Sequence, residues 1–253
     1  MSKTRHFIHI KDYNLLYGRV PKVANSSIKS ALCRLLVKKP NKSIKTTSDR
    51  FWRDCTYEQT ELITPNQARK LRKSHFSFSF VRNPFDRLIA AYNNKIIEID
   101  EPPLPMRKMG IVHNMPFEDF LSALVAMPPD DYDVHLMPQH LILRSGERLV
   151  PKFIGRMEQM SDHWNILRKR LLRRNIRIIK ALPEKNVRRD AGISLSSYFS
   201  SSKLIDKFLE IYGKDVELFY ADVSIESLIN NSPLPAVRPL KPKEARTEDI
   251  LDP

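Results

Sequence analysis

Asn14–Leu36 reads NLLYGRV-PKVANSS-IKSALCRLL, and the change of texture within it decides the fold class. Asn14 to Val20 is a short apolar run that stops at Pro21, the mark of a buried strand. Ile28, Ala31, Leu32, Leu35 and Leu36 then recur on one helical face. Pro40 and the basic, Ser/Thr-rich stretch from Asn41 to Arg50 end that helix. Between strand and helix lie Pro21, Lys22, Val23, Ala24, Asn25, Ser26 and Ser27. A strand end that feeds a helix start in this way is an anion site: the first helical turn offers N–H groups without an intrahelical acceptor and the positive end of the dipole. Ser26 and Ser27 add hydroxyls, although either also reads as a plain helix cap, and Lys22 adds a charge that reaches into the loop. A nucleoside-triphosphate loop needs G-x-x-x-x-G-K-[ST]. No glycine stands between Val20 and the helix, which argues against an ordinary ATPase or kinase.

A second junction of the same kind follows. Ser74–Arg82 is SHFSFSFVR, in which Phe76, Phe78 and Phe80 alternate with Ser77 and Ser79. That period of two predicts a strand. Asn83-Pro84 breaks it, and a helix is predicted from Phe85 to Ile99 with Leu88, Tyr92, Ile96 and Ile99 on one stripe. Arg82 ends the strand beside the helix start, where its planar fork suits a phosphate. Ligands of open α/β sheets bind outside the carboxyl ends of the strands, so two such junctions suit a ligand with two separated anionic groups. The alternative is that Arg82 and Arg87 form surface ion pairs with Asp86 or nearby acids, which are common and weak.

Further out, residues 51–73 are polar and mixed, with Thr64 as cap and Pro65 as first residue of a helix. Glu101–Met109 reads as a proline-rich surface loop. Phe117, Phe120, Leu121 and Leu124 mark an amphipathic helix. Leu149–Ile154 is apolar enough for a strand broken by Pro151. A helix from Ser161 carries Trp164, Leu167, Leu171 and Leu172, with Arg168, Lys169, Arg170, Arg173 and Arg174 on its outer side. Ser202 is the expected cap of the last long helix. Repeated strand–loop–helix units predict an α/β fold with a central, mainly parallel sheet. One domain is expected over residues 1–230, with a Pro-rich, charged tail over 231–253.

Lys and Arg number 43 against 29 Asp and Glu in 253 residues, a formal charge of +14. Such a surplus favours anionic partners: a phosphorylated cofactor, an anionic glycan, nucleic acid or an acidic membrane surface. No helix-turn-helix, zinc finger or RNA-binding aromatic signature is present, so nucleic acid is not expected. The two cysteines, Cys33 and Cys55, are too few for a disulfide framework, and no metal-ligand spacing appears among Cys and His. The N-terminus is charged throughout, without a signal-peptide apolar core, and no stretch approaches the ~20 apolar residues of a membrane span. A soluble, cytoplasmic protein is the expectation.

PKVANSSIK at Pro21–Lys29 and FVRNPFDRLIAAY at Phe80–Tyr92 together resemble motifs of the Golgi-type carbohydrate sulfotransferases, the group that includes the chondroitin 4-O- and HNK-1 sulfotransferases. Weaker likeness extends to HLMPQ at His135–Gln139, FIGRME at Phe153–Glu158, LPEKNV at Leu182–Val187 and IYGKDVELFY at Ile211–Tyr220. The resemblance implies a P-loop-NTPase-like sulfotransferase fold. It implies transfer of a sulfuryl group from PAPS (3′-phosphoadenosine-5′-phosphosulfate) to a hydroxyl of a carbohydrate acceptor, which the basic surplus would allow to be anionic. On this reading Lys22 stabilises the departing phosphate, Ser26 and Ser27 with loop N–H groups hold the 5′-phosphosulfate, and Arg82 binds the 3′-phosphate. The family carries a serine where this chain has Ala90, which removes one donor to the 3′-phosphate. Arg188 or Lys185 would be the substitutes.

Such chemistry needs a base for the acceptor hydroxyl, and histidine suits it near neutral pH. His135 in DYDVHLMPQH matches the histidine of the family's HWxPQ-like segment, with Asp133 near enough in sequence to orient it. His140 and His75 rank next. The basic helix around Arg168–Arg174 is a candidate surface for an anionic acceptor. A nucleotide-dependent phosphotransferase is the enzyme alternative, and a basic nucleic-acid-binding protein the non-enzymatic one.

Overall fold

Two four-residue strands lie inside the sheet. β1 (Phe7–Ile10) and β2 (Leu15–Gly18) pair antiparallel, Phe7 opposite Gly18 and Ile10 opposite Leu15. The link between them is one 3-10 turn closed by the left-handed Asn14 (φ 46°), a conformation asparagine tolerates. The computed structural model describes residues 4–41, 43–183, 194–231 and 239–240. After β2 come α1 (Asn25–Cys33), α2 (Asp49–Asp54), β3 (Thr60–Ile63), α3 (Pro65–Leu71), β4 (Phe76–Val81) and α4 (Pro84–Tyr92). Then follow α5 (Leu104–Lys108), α6 (Phe117–Val125), α7 (Gln139–Leu143), β5 (Arg144–Ser145), β6 (Arg148–Leu149) and β7 (Phe153–Arg156). The described chain closes with α8 (Met160–Leu172), α9 (Leu195–Tyr198), α10 (Ser202–Tyr220) and α11 (Ile225–Ile229).

Among the described residues the central sheet has five strands in the order β3-β1-β2-β4-β7. β2 runs parallel to β4, and β4 to β7. β1 is antiparallel to both β2 and β3, so it alone opposes a sheet whose other four strands share one direction. The expected α/β architecture with a mainly parallel sheet is what the chain forms. Leu240 makes an antiparallel bridge to Ile154 on β7.

β4 explains the Phe/Ser alternation. All six of its residues are buried, as suits an interior strand with parallel neighbours on both sides. The serines sit where bonds await them: Ser79 Oγ donates to the Gly18 carbonyl at 2.8 Å, and Ser77 Oγ to that of Val150 at 3.0 Å. Thr64 caps α3 as expected, in a reciprocal capping box with Gln67.

Several expectations are corrected. Residues 51–73 are not merely polar: Phe51 and Trp52 on α2 are fully buried, and Thr60–Ile63 is one of the sheet's two edge strands. The predicted helix Phe85–Ile99 is α4 only to Tyr92, followed by a π-helical turn over Asn93–Ile97. Glu101–Met109 is no plain surface loop, since it contains α5 and buries Met106 completely. The strand expected at Leu149–Ile154 begins at Phe153, after Pro151, and runs to Arg156. Ser201 rather than Ser202 caps α10, its hydroxyl accepting from the Leu204 N–H.

Gly155 is fixed by packing. It pairs with Phe80 across β4 and β7, and a Cβ there would lie 2.3 Å from Phe80 Cε1. Gly155→Ala is expected to cost about 1–3 kcal/mol through overpacking, read as a lower urea midpoint with an unchanged m-value.

Candidate functional site

The carboxyl ends of β2 and β4 open into a cleft of about 1360 Å³. The Pro21–Ser27 loop forms its floor. Without glycine, the loop turns by placing Lys22 (φ 66°) and Ala24 (φ 45°) in the left-handed region, a conformation that non-glycine side chains disfavour and that concentrates at functional sites. Ala24 is the residue before α1 and offers no side-chain cap, so neither serine acts as the N-cap. Asn25, Ser26 and Ser27 make up the first turn, whose N–H groups lack intrahelical acceptors, and all three line the cleft. The Tyr17 hydroxyl donates to Asn25 Oδ1 at 3.2 Å, which ties the helix start to β2.

Lys22 enters the cleft with its ammonium donating to Asn94 Oδ1. Asn94 belongs to the π-helical turn after α4, and such turns recur at functional sites. Arg82, at the end of β4, donates through Nε to Asp86 at 2.7 Å and through Nη1 to the Lys22 carbonyl at 3.1 Å. The ion pair weighed from the sequence therefore exists for Arg82, and the guanidinium still lines the cleft and braces the loop. Gln139 holds the Arg82 backbone from both sides, accepting its N–H at 2.9 Å and donating to its carbonyl at 2.8 Å.

Arg87 does something the sequence did not suggest. It makes no pair with Asp86. It is 2% exposed and donates to the carbonyls of Pro21 (3.1 Å), Met137 (2.9 Å) and Val134 (3.3 Å). Burial pulls its pKa below the ordinary arginine value. One guanidinium thus joins the Pro21 loop to the segment that carries His135. The only available signal was its place five residues after Arg82, next to Leu88 of the apolar stripe.

His135 lines the cleft, with Nδ1 2.7 Å from Asp133 Oδ1. The same oxygen accepts the His135 N–H at 2.9 Å. Burial alone would raise the Asp133 pKa, but the bonds from His135 outweigh it and hold the carboxyl below its usual range. Asp133 therefore stays ionised and engages Nδ1, which leaves Nε2 as the ring nitrogen it does not hold. The other two histidines do not line the cleft. His140 is tied to the fully buried Asp215 at 2.7 Å, and that carboxylate also takes the N–H groups that open α7. His75 precedes β4, at the end of the sheet opposite the cleft, with Nε2 3.0 Å from that of His9.

Ala90 lines the cleft, as do Ser161 and Lys180; Arg188 and Lys185 lie outside the described residues. The basic outer side of α8 does not line it. Arg170 and Arg174 lie instead over the rings of Phe153 and Phe76 at 5.1 and 4.5 Å. A further group went unread: His6, Arg19, Lys29 and Asp49 line the β1–β2 end of the cleft. Burial first, and the Arg19 charge second, pull the His6 pKa down to about 4. Because that value lies below the unfolded one, the stability His6 contributes is present above pH 6.5 and lost as pH falls toward 4. Urea unfolding should show a loss of about 2–3 kcal/mol from His6 over that window, absent in His6→Gln.

Cationic groups outnumber acids in the lining: Arg19, Lys22, Lys29, Arg82 and Lys180 against Asp49 alone among the described residues. A helix start, a left-handed loop and this charge excess fit a ligand with several anionic groups.

Residues 5–221 match the sulfotransferase family. The chain is 32% identical over 151 residues to carbohydrate sulfotransferase 14 of Mus musculus, covering 53% of this chain and 38% of that protein. It is 27% identical over 175 residues to carbohydrate sulfotransferase 14 of Danio rerio (62% and 46%), and 30% identical over 151 residues to that of Homo sapiens (53% and 38%). The chain thus spans less than half the length of these relatives. No solved structure matches it significantly.

Proposed function

The chain belongs to the sulfotransferase family, and from that premise we propose that it transfers a sulfuryl group from PAPS to a hydroxyl of a carbohydrate acceptor. The observation that carries the proposal is the glycine-free loop at the start of α1, with Lys22 and Arg82 both directed into one cationic cleft. The acceptor class follows the printed name of the relatives, carbohydrate sulfotransferase 14. The cleft exceeds the roughly 300–1,000 Å³ of common small-molecule sites, which leaves room for donor and acceptor together.

PAPS, when bound, supplies a sulfuryl group joined to a phosphate that departs with the negative charge. The chain's part is to hold and to discharge. The first-turn N–H groups of α1 and the Ser26 and Ser27 hydroxyls bind the 5′ end. Lys22 places a fixed positive charge against the developing anion, in a site that needs no reorganisation. Arg82 takes the 3′-phosphate, with Ser161 and Lys180 as further polar groups in the same lining as Ala90. His135 receives the acceptor's hydroxyl proton at Nε2, and ionised Asp133 steadies the imidazolium at Nδ1. Arg87 acts on none of these atoms. It positions Lys22 relative to His135 by holding the backbone of both walls.

Sulfate transfer from labelled PAPS to a panel of neutral and acidic oligosaccharides tests the reading. Incorporation that depends on Lys22 supports it. Labelled transfer from ATP instead, requiring Mg²⁺, would replace it with a phosphotransferase.

A further inference from the structure

The β1–β2 end of the cleft holds charged groups that the transfer chemistry above leaves unused. His6 precedes β1, Arg19 follows β2, Lys29 lies one turn into α1, and Asp49 opens α2. His6, Arg19 and Lys29 are 3%, 9% and 3% exposed, yet each lines the cleft. Charge there does not balance. Arg19 and Lys29 converge on a single carboxylate oxygen of Asp49. Their other bonds go to backbone carbonyls, Arg19 to Arg5 and Lys29 to Thr47 at 2.9 Å. With those partners used, Arg19 Nε and His6 Nε2 remain buried without a hydrogen-bond partner. Buried polar atoms in folded proteins are nearly always paired, so each orphan asks for a partner, and for Arg19 Nε that partner is an acceptor. The pKa of Lys29 is held down at about 8, by burial first and by the neighbouring Arg19 second. Both signs are those of a cationic pocket lacking part of its counter-charge.

We propose that Arg19, Lys29 and His6 form a second oxyanion subsite in the cleft, which takes a sulfate- or phosphate-class group. Cations bind such groups through charge-assisted bonds that outlast burial, and a neutral imidazole N–H adds a donor without adding charge. Asp49 competes for the same cations. It sets the affinity low enough for the group to leave, since its side chain is 55% exposed and can turn outward. The subsite's place in catalysis rests on the sulfotransferase reading. The group is then either an acidic group of the donor, shared with the contacts of α1 or Arg82, or an acidic group on the acceptor.

Inorganic sulfate, titrated calorimetrically into the full chain with and without saturating PAP (the desulfonated donor), decides the matter. Sulfate is expected to bind the PAP-loaded protein, about tenfold more weakly in Lys29→Met and about threefold more tightly in Asp49→Asn. That result places the subsite on the acceptor side. Displacement of sulfate by PAP, with PAP itself weakened by Lys29→Met, assigns the subsite to the donor instead. Sulfate binding indifferent to both substitutions overturns the proposal. Should Lys29→Met fail to fold by circular dichroism, Asp49→Asn decides alone, and failure to tighten sulfate binding overturns it. If PAP does not bind but sulfate still responds to both variants, the subsite stands and the PAPS reading falls.

Discussion

Lys22→Ala is expected to lower turnover by about 10²–10³-fold, the usual cost of removing one preorganised donor from a developing anion. The loop geometry makes this the sharpest single test of the mechanism. Lys22 already occupies a left-handed conformation, and alanine bears that backbone no worse than lysine, so the substitution removes the ammonium and leaves the loop. Steady-state kinetics should show the loss in kcat, with a smaller change in KM for PAPS, because the charge acts most strongly where the leaving phosphate gains its own. Lys22→Arg should restore little, since a planar fork does not replace a compact ammonium and Asn94 Oδ1 is placed for the lysine length. A loss confined to KM would make Lys22 a binding group only.

The second large effect belongs to the wall opposite. His135→Gln is expected to lower kcat by about 10²–10⁴-fold, the range for loss of a general base. Asp133→Asn should cost less, because asparagine keeps an acceptor near Nδ1 but gives up the negative charge that favours the imidazolium. Its KM for acceptor should stay near that of the unaltered protein, which separates a positioning defect from a binding one. His140→Gln serves as the control. His140 sits on Asp215 at the start of α7, away from the cleft lining, so its loss should appear as reduced stability with kcat retained.

Much of this was legible because the informative segments carry strong local signals. Strand, loop and helix follow one another without interruption from Asn14 to Leu36, and the Phe/Ser alternation marks β4. Both junctions therefore landed where the sheet puts them, with Lys22, Ser26, Ser27, Arg82 and His135 all lining one cleft. What failed to show is equally physical. β1 and β3 are four residues long, and unlike β2 neither leads into a loop and a long apolar helical stripe, so their identity comes from the strands beside them. Glu101–Met109 has a loop's composition, but Met106 finds a buried place that only the tertiary fold supplies. Arg87 looks like a surface charge beside Asp86. Its role depends on three carbonyls contributed by Pro21, Val134 and Met137, which no local window contains. His6, Arg19, Lys29 and Asp49 are scattered over more than 40 positions and meet only because β1 runs against its neighbours. The basic side of α8 is the converse case, prominent in sequence yet absent from the cleft lining.

The Lys22 loop and Arg82 are expected to hold a bis-anionic adenosine donor together. Calorimetric titration with PAP, using ATP as control and Lys22→Ala and Arg82→Ala as comparators, tests it most directly. PAP should bind, both substitutions should weaken it by about tenfold or more, and ATP should bind far more weakly. PAP binding that is absent, or that ignores both substitutions, would contradict it.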